Sequence, residues 1–264
     1  AARGPDHPDP RGGAQADRVR PHDGRPQLKR IGGAQCLPRP RKTFTAADVE
    51  ATGRTMILIG QYDSPFVRRV AVALHVYGMA YEHRPWSTFG DGDRVAEFNP
   101  LRRVPTLVLD NGEALIESFA ILDHLDELAG PSRALIPASG AERRAALRVC
   151  ALATGLCDKM VSLVYERVLH EAVSPTWVTR CETQIGQVLE VLEADRVKRD
   201  SPFWFGDGPG HVDIAVACAL RFLSEAHPDL AAHGRRPALA AHSARCESLD
   251  AFAAVVQPFI APGR

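Results

Sequence analysis

The 264 residues are 45% apolar and 24% charged, an ordinary composition for a soluble globular protein with a sizeable core. Residues 1–55 carry eleven Lys and Arg against six Asp and Glu, although the formal net charge of the whole chain is zero. Residues 56–264 are therefore mildly acidic, which argues against a nucleic-acid surface on them. The longest apolar runs are far below the roughly 18 to 20 residues that cross a bilayer, so we expect no membrane span.

The six cysteines form no C-x-x-C pair, and neither they nor the ten histidines show the spacing of metal ligands. We therefore predict no metal site and a reducing, cytoplasmic location.

Residues 1–55 contain seven Pro and seven Gly and no regular apolar period, so they cannot bury enough surface to offset chain entropy. The first methionine, Met56, opens the first apolar strand. We therefore expect residues 1–55 to be a disordered or non-native N-terminal extension. A transit peptide and a basic arm that touches nucleic acid are weaker alternatives.

Residues 56–130 alternate between strand and helix patterns in the order β-α-β-α-β-β-α. The pair Asn111-Gly112 lies between two alternating segments and is a strong hairpin signal. A strand, helix, strand unit is parallel and right-handed, and the hairpin adds antiparallel strands. The pattern therefore predicts an α/β domain with a four-stranded mixed sheet.

The rest of the chain reads as helix, with no strand pattern of comparable strength. Residues 131–139 are a predicted linker, and residues 140–264 are a predicted all-α domain. Long helices are expected at about 140–171 and 175–199.

Ser64 and Pro65 follow the first strand and open the first helix. Serine is a good N-cap and proline loses no hydrogen bond at the first helical position, so a plain capped helix explains them. The carboxyl end of a strand beside a helix N-terminus is also where α/β sheets bind ligands and where the helix dipole favours anions. On these two residues alone, both interpretations stay open.

Val104 and Pro105 lie at the start of the third strand, where proline cannot donate to the ladder. A cis bond there would leave the N–H and C=O of Val104 facing outward, able to pair with the backbone of a bound peptide. A strand that begins with a trans proline is the plainer alternative.

Glu117 and Ser118 open the helix after the hairpin. Capping again explains them, since acid near a helix N-terminus suits the dipole. The same two residues could also hold an amino acid head group, because the helix end and the hydroxyl suit a carboxylate and Glu117 suits an ammonium.

Together these stretches resemble the glutathione transferases: D-S-P-F-V-R in the first turn, N-P-L-R-R-V-P-T-L before the third strand and E-S-F-A-I at the third helix. The resemblance covers about residues 56–258. It implies a thioredoxin-like first domain and a helical bundle, which agrees with the layout above. It also implies a cytosolic, bacterial-like enzyme that joins glutathione to a small hydrophobic electrophile, or reduces a peroxide, in detoxification, and that forms a homodimer.

The resemblance places Ser64 beside the glutathione sulfur. A thiol with a pKa near 8.5 is only a few per cent ionised at pH 7, and lowering that pKa by about two units, roughly 2.7 kcal/mol, makes most of it nucleophilic. A serine hydroxyl donating to sulfur at a helix N-terminus can supply this. Family members with Cys-Pro-Phe here exchange disulfides, which Ser-Pro-Phe cannot do.

The resemblance also implies the glutathione-binding residues. Val104, before a cis Pro105, would pair through its backbone with the cysteinyl part. Glu117 and Ser118 would hold the γ-glutamyl end. Arg103 either reaches the glycyl carboxylate or is a solvated loop arginine.

The electrophile would lie between the two domains. Tyr62 and Trp86 from the first domain, and Met160 and Tyr165 from the first long helix of the second, are candidate pocket residues. Side chains of that long helix are otherwise expected in the core.

A non-catalytic binding or regulatory protein, similar to the stringent starvation protein, is the alternative function.

The family also usually opens a buried helix with Ser/Thr-x-x-Asp. Here Asp213 is present and Gly210 replaces the hydroxyl residue, which predicts a weakened capping box and an intact helix. His211 is expected to be an incidental polar residue.

Overall fold

The computed structural model describes residue 1 and residues 56–231 and 236–263, so the predictions for residues 1–55 lie, apart from Ala1, outside the described residues. Strands β1 to β4 are Met56–Ile59, Tyr81–Arg84, Thr106–Val108 and Ala114–Ile116. The sheet order is β2-β1-β3-β4, with β1 parallel to β2 and the other two pairings antiparallel. The predicted four-stranded mixed sheet is confirmed.

Three helices accompany the sheet: α1 Pro65–Tyr77, α2 Gly92–Ala96 and α3 Ser118–Ala129. The helix α1 starts at the N-cap Ser64 and ends at Gly78, whose φ of 67° is the left-handed conformation that stops helices. Helices α1 and α3 pack on one face of the sheet. The core there includes Leu58, Val70, Leu74, Leu107, Ile121 and Leu125.

The second domain consists of helices within the described residues: α4 Gly140–Leu169, α5 Pro175–Arg196, α6 His211–Ala226, α7 Pro237–Glu247 and α8 Asp250–Ala253. Helix α6 is central, because it contacts α4 and α7 and also α1 of the first domain. The predicted fold class is thereby confirmed. None of the helices in the described ranges is long and apolar enough to cross a membrane.

Asp213 fixes the start of α6. Its buried carboxylate accepts the N–H of Trp204 at 2.7 Å and that of Gly210 at 2.8 Å. Gly210 has no side chain to complete the capping box, but the carbonyl of Leu135 accepts the N–H of His211 at 2.9 Å. The linker therefore satisfies one of the free N–H groups at this helix end.

His211 is not incidental, because it is buried at a contact between the two domains. Its Nε2 lies 2.9 Å from Oδ1 of Asp126 on α3, and Tyr77 at the end of α1 donates its hydroxyl to the same oxygen. Burial lowers the pKa of His211. Burial alone would raise the pKa of Asp126, but hydrogen bonds from His211 and Tyr77 hold it below its usual value.

We predict that Gly210→Ser destabilises the protein, although serine is a common cap. A Cβ at position 210 would lie 2.8 Å from the carbonyl oxygen of Leu135, which cannot retreat without stretching its bond to His211. We expect the free energy of unfolding in urea to fall by about 1–3 kcal/mol. Gly206→Ser is the control, because a Cβ there meets nothing within 4 Å. Equal stability of the two variants would contradict the argument.

Candidate functional site

The turn after β1 brings Ser64 to the start of α1. Gly60 is required in this turn: its φ is 128°, and a Cβ would lie 2.5 Å from Cγ2 of Val67 and 2.8 Å from Cβ of Val104. The half-buried Ser64 accepts the N–H of Val67 on its Oγ at 3.4 Å. Because this bond uses only a lone pair, the hydroxyl proton can be donated to another group at the same helix end.

Asn99 organises the loop that precedes β3. Its buried amide donates to the carbonyl of Arg103 at 2.8 Å and to Oγ1 of Thr106 at 3.3 Å, and its Oδ1 accepts the N–H of Leu101 at 3.0 Å. Sequence reasoning missed this role, since an Asn before a proline also reads as an ordinary turn residue.

Val104 lies in the same loop, directly before Pro105. The Val104–Pro105 peptide bond is cis. Within the described residues, the backbone N–H and C=O of Val104 take part in no hydrogen bond. Both groups therefore remain available to a partner.

Glu117 and Ser118 connect β4 to α3. Glu117 has a φ of 68°, which costs about 1 kcal/mol or more for a residue with a side chain. Its carboxylate lies 3.2 Å from Nη1 of Arg103, and both side chains are more than half exposed, so the pair adds little stability. Ser118 is buried and directs its Oγ toward Arg69.

Arg69 is a cation buried beneath the N-terminus of α3. Its Nη1 donates to Oγ of Ser118 at 3.4 Å, and its guanidinium lies 4.7 Å from the ring centroid of Phe119. Among the described residues no carboxylate pairs with it, its Nε has no hydrogen-bond partner, and burial lowers its pKa. An arginine remains protonated even so, which makes this helix end strongly electropositive.

A cavity of about 870 Å³ lies between the first domain and helices α4 and α6. Of the predicted site residues, Ser64, Arg103, Val104, Trp86 and Tyr165 line it. The cavity also has apolar walls from Phe66, Phe89, Val161, Val164, Phe222, Phe259 and Ile260. Glu117 adjoins the cavity through its ion pair with Arg103.

Tyr62 and Met160, two of the candidate pocket residues, do not line this cavity. The ring of Tyr62 stacks on His83 at 3.8 Å, and its hydroxyl lies 2.8 Å from that of Tyr81. Met160 is fully buried in the core of the helical domain. The structure thus corrects both predictions, because Tyr62 packs against residues of β2 and Met160 faces the core of its own domain.

Two aromatic side chains meet across the cavity. Phe89, in the loop after β2, contacts Tyr165 on α4 edge to face, with ring centroids 5.4 Å apart. Asp63 and Asp158 add two carboxylates to the lining, and burial raises the pKa of each. The lining is therefore more apolar than polar, with polar side chains contributed by both domains, a composition that suits a small-molecule site.

The cysteines of the described ranges are unsuited to act as nucleophiles. They are buried and free, and burial raises the pKa of each thiol. None lines the cavity. Among the described residues no group of His, Cys, Asp and Glu is arranged to hold a metal ion.

Family models match most of this architecture. The glutathione S-transferase N-terminal domain matches residues 58–133, and the glutathione S-transferase C-terminal domain matches residues 175–245. The GST-like protein YibF of Escherichia coli K12 is 32% identical over 176 residues, which are 64% of this chain and 82% of YibF. The maleylacetoacetate isomerase of Pseudomonas aeruginosa is 32% identical over 177 residues, 62% of this chain and 80% of that protein. The chain belongs to the glutathione S-transferase family.

Solved structures share the fold. A glutathione S-transferase from Methylobacterium radiotolerans, in complex with glutathione sulfonate, has a TM-score of 0.72 at 30% identity, covering 78% of this chain and 96% of its own. One from Methylobacillus flagellatus with glutathione bound has a TM-score of 0.71 at 28% identity, covering 78% of this chain and all of its own (100%). The predicted family and the predicted thioredoxin-like and helical domains are confirmed.

We predict that Asn99→Ala destabilises the protein more than Asn111→Ala. The buried amide of Asn99 makes three hydrogen bonds, whereas Asn111 is exposed and accepts one, from the N–H of Glu113. Loss of the buried bonds leaves unpaired groups, so we expect about 2–4 kcal/mol for Asn99 and under about 1 kcal/mol for Asn111, measured by urea denaturation. Similar losses would show that the loop does not depend on Asn99.

Proposed function

We propose that this protein is a glutathione transferase, which ionises the thiol of bound glutathione and directs it at an apolar electrophile. The observation that supports this most strongly is the convergence of Ser64, the unpaired backbone of Val104 and the Arg103–Glu117 pair on one cavity. The alternative, a non-catalytic protein of the same fold, would not need a hydroxyl donor at the helix end beside an apolar chamber.

Glutathione binding would use the groups that the protein leaves available. The N–H and C=O of Val104 would pair with the cysteinyl residue as in a short β-ladder. The γ-glutamyl carboxylate would take the N-terminus of α3 and the hydroxyl of Ser118, with Arg69 adding positive charge from below. Glu117 would accept from the ammonium group, and the weakly paired Arg103 would be able to turn to the glycyl carboxylate.

Catalysis would depend on Ser64. Its Oγ accepts from the helix backbone, so its proton can point to the sulfur and stabilise the thiolate, helped by the positive end of α1. The thiol proton leaves to solvent. The sulfur electron pair then forms a carbon–sulfur bond to the electrophile, and the leaving group departs with its own electron pair. With a peroxide the same thiolate would attack one oxygen, forming a sulfur–oxygen bond as the oxygen–oxygen bond breaks; the other oxygen would leave with the bonding electrons and take a proton from solvent.

The electrophile would occupy the apolar part of the cavity, next to Trp86, Phe89 and Tyr165. At about 870 Å³ the cavity is near the upper end of the usual range for small-molecule sites, so it has room for glutathione and a further group. The free thiols of the described cysteines fit a cytoplasmic location, where glutathione is kept reduced.

A homodimer is also part of this proposal. Phe119 at the start of α3 and Leu147 on α4 are large apolar side chains that the single chain leaves exposed. In the family arrangement implied by the sequence motifs, the first domain packs on the second domain of the partner. We expect a dimer in sedimentation equilibrium, and Phe119→Glu to shift it toward monomer; a monomeric wild-type protein at micromolar concentration would contradict this.

We predict that Ser64→Ala lowers kcat/KM with glutathione and a haloarene by about 10²-fold. The affinity for glutathione should change by less than about threefold, because the hydroxyl acts on the thiolate more than on the ground-state tripeptide. Ser118→Ala should do the reverse, weakening glutathione binding by about tenfold through the lost hydrogen bond. Steady-state kinetics and calorimetry measure the two effects.

Ser248→Ala is the control, since that hydroxyl is exposed and bonds only the carbonyl of Arg245. If Ser64→Ala left turnover unchanged, the role of Ser64 would be wrong. If the wild-type protein failed to bind glutathione at millimolar concentration, the non-catalytic alternative would replace the enzyme.

A further inference from the structure

A second, smaller cavity of about 400 Å³ lies on the first domain, and it shares no described residue with the cavity between the domains. Met56, the first residue of β1, is in its lining, whereas Ser64 comes after the other end of that strand. The two cavities are therefore at opposite ends of β1. We call the smaller one the methionine groove, and its lining includes Met56, Met79, Leu109, Asp110, His124 and Leu128.

Two of the three methionines of the chain line this groove. Met56 faces the same side of the sheet as Leu58, toward the core that α1 and α3 share. Met79 follows the left-handed Gly78 that ends α1, and its N–H donates to the carbonyl of Leu74 at 2.9 Å. The strand and the helix end thus bring two thioether side chains to the same cavity.

His124 on α3 adds an imidazole to the groove. Its Nδ1 lies 3.7 Å from Oε2 of Glu127, one turn along the same helix. Within the described ranges, no hydrogen bond or ion pair engages its Nε2. A histidine that ligates a metal usually presents its other ring nitrogen to a carboxylate, which fixes the orientation of the ring. The side chain is 26% exposed, so a dissolved ion can reach it.

The chemistry of the lining favours a soft cation. Asp110 contributes a carboxylate, and of the lining residues that the structure describes none is Lys or Arg. Thioether sulfur is a soft ligand that selects Cu(I), and imidazole also suits copper, whereas Mg²⁺ and Ca²⁺ prefer oxygen ligands. Methionine also fills gaps in ordinary packing, but packing does not call for a histidine with an available nitrogen beside it.

We propose that the methionine groove binds one Cu(I) ion through the sulfur atoms of Met56 and Met79 and through Nε2 of His124. Binding is a ligand exchange, in which the ion gives up its solvent ligands and no electron is transferred. The proposal departs from the expectation of no metal site, which rested on the spacing of Cys and His. A site of this kind is not found among groups of His, Cys, Asp and Glu, because two of its three ligands are thioethers.

The site is independent of the glutathione-dependent function, since none of its three ligands lines the cavity between the domains. A protein that failed to bind glutathione would leave the metal site standing. A protein without the metal site would leave the glutathione function standing.

The test is an NMR titration of the full chain with its methionine methyl groups isotopically labelled. Silver nitrate is the probe, because Ag(I) is a soft monovalent ion like Cu(I) and is not oxidised in air. The buffer is free of chloride, and accessible thiols are first alkylated with N-ethylmaleimide so that they do not compete. We expect the methyl signals of Met56 and Met79 to move until one equivalent is added. The signal of Met160, which is fully buried in the helical domain, should stay in place.

Matched variants measure the contribution of each ligand by calorimetry with silver nitrate. Met79→Leu keeps a similar apolar volume and removes the sulfur. We expect it to weaken Ag(I) binding by more than about tenfold, since loss of an outer partner alone already costs roughly that much. His124→Gln should weaken binding as strongly, because the amide is a poor ligand for a soft ion. Met160→Leu is the control and should keep the affinity of the wild-type protein.

The proposal is supported if only the two groove methionines respond and the two ligand variants lose affinity while Met160→Leu does not. It is overturned if the signals of Met56 and Met79 do not move with silver, or if Met160 moves as far as they do. Equal silver affinity of Met79→Leu and Met160→Leu would also overturn it.

Discussion

The carboxylate of Asp126 is the contact on which the placement of the two domains depends. It accepts from Tyr77 at the end of α1, from the linker N–H of Leu135 and from His211 at the start of α6. One side chain thereby joins both domains and the segment between them. A carboxylate that is only 11% exposed and has three donors on one oxygen tolerates little displacement, because a loosened donor would find little water to replace its bond.

The site itself is built from helix ends and strained backbone. Ser64 caps α1 and Ser118 is the first residue of α3, so each of these serines lies at the partial positive charge of a helix N-terminus. Arg69 adds a full charge below the second. The left-handed backbone of Glu117 costs conformational energy, whereas the close approach at Gly60 is possible because glycine has no Cβ. Both residues contact groups of the proposed glutathione site: Glu117 contacts Arg103, and Gly60 lies against Val104.

Sequence reasoning located the parts of the candidate site that depend on local chemistry. Ser64 and Val104 lie in short motifs whose residue types have a local physical reason, and the structure brings both to the cavity. It did not find Asn99 or Arg69, because an Asn before proline and an Arg in a helix have many plainer explanations. Met160 was considered for the pocket because it lies on the correct helix, but which face of a helix points inward depends on its neighbours.

The sequence by itself determined the order of strands and helices, the mixed sheet, the helical second domain and the motifs that identify the family. These features follow from the apolar period, turn residues and helix caps within short stretches of the chain. Only the tertiary structure decided which groups meet: His211 with Asp126, Arg69 with Ser118, and the carboxylate of Asp63 with the N–H of Ile260. These contacts join residues from about 50 to nearly 200 positions apart. Their geometry is set by packing of whole elements, which no local pattern encodes.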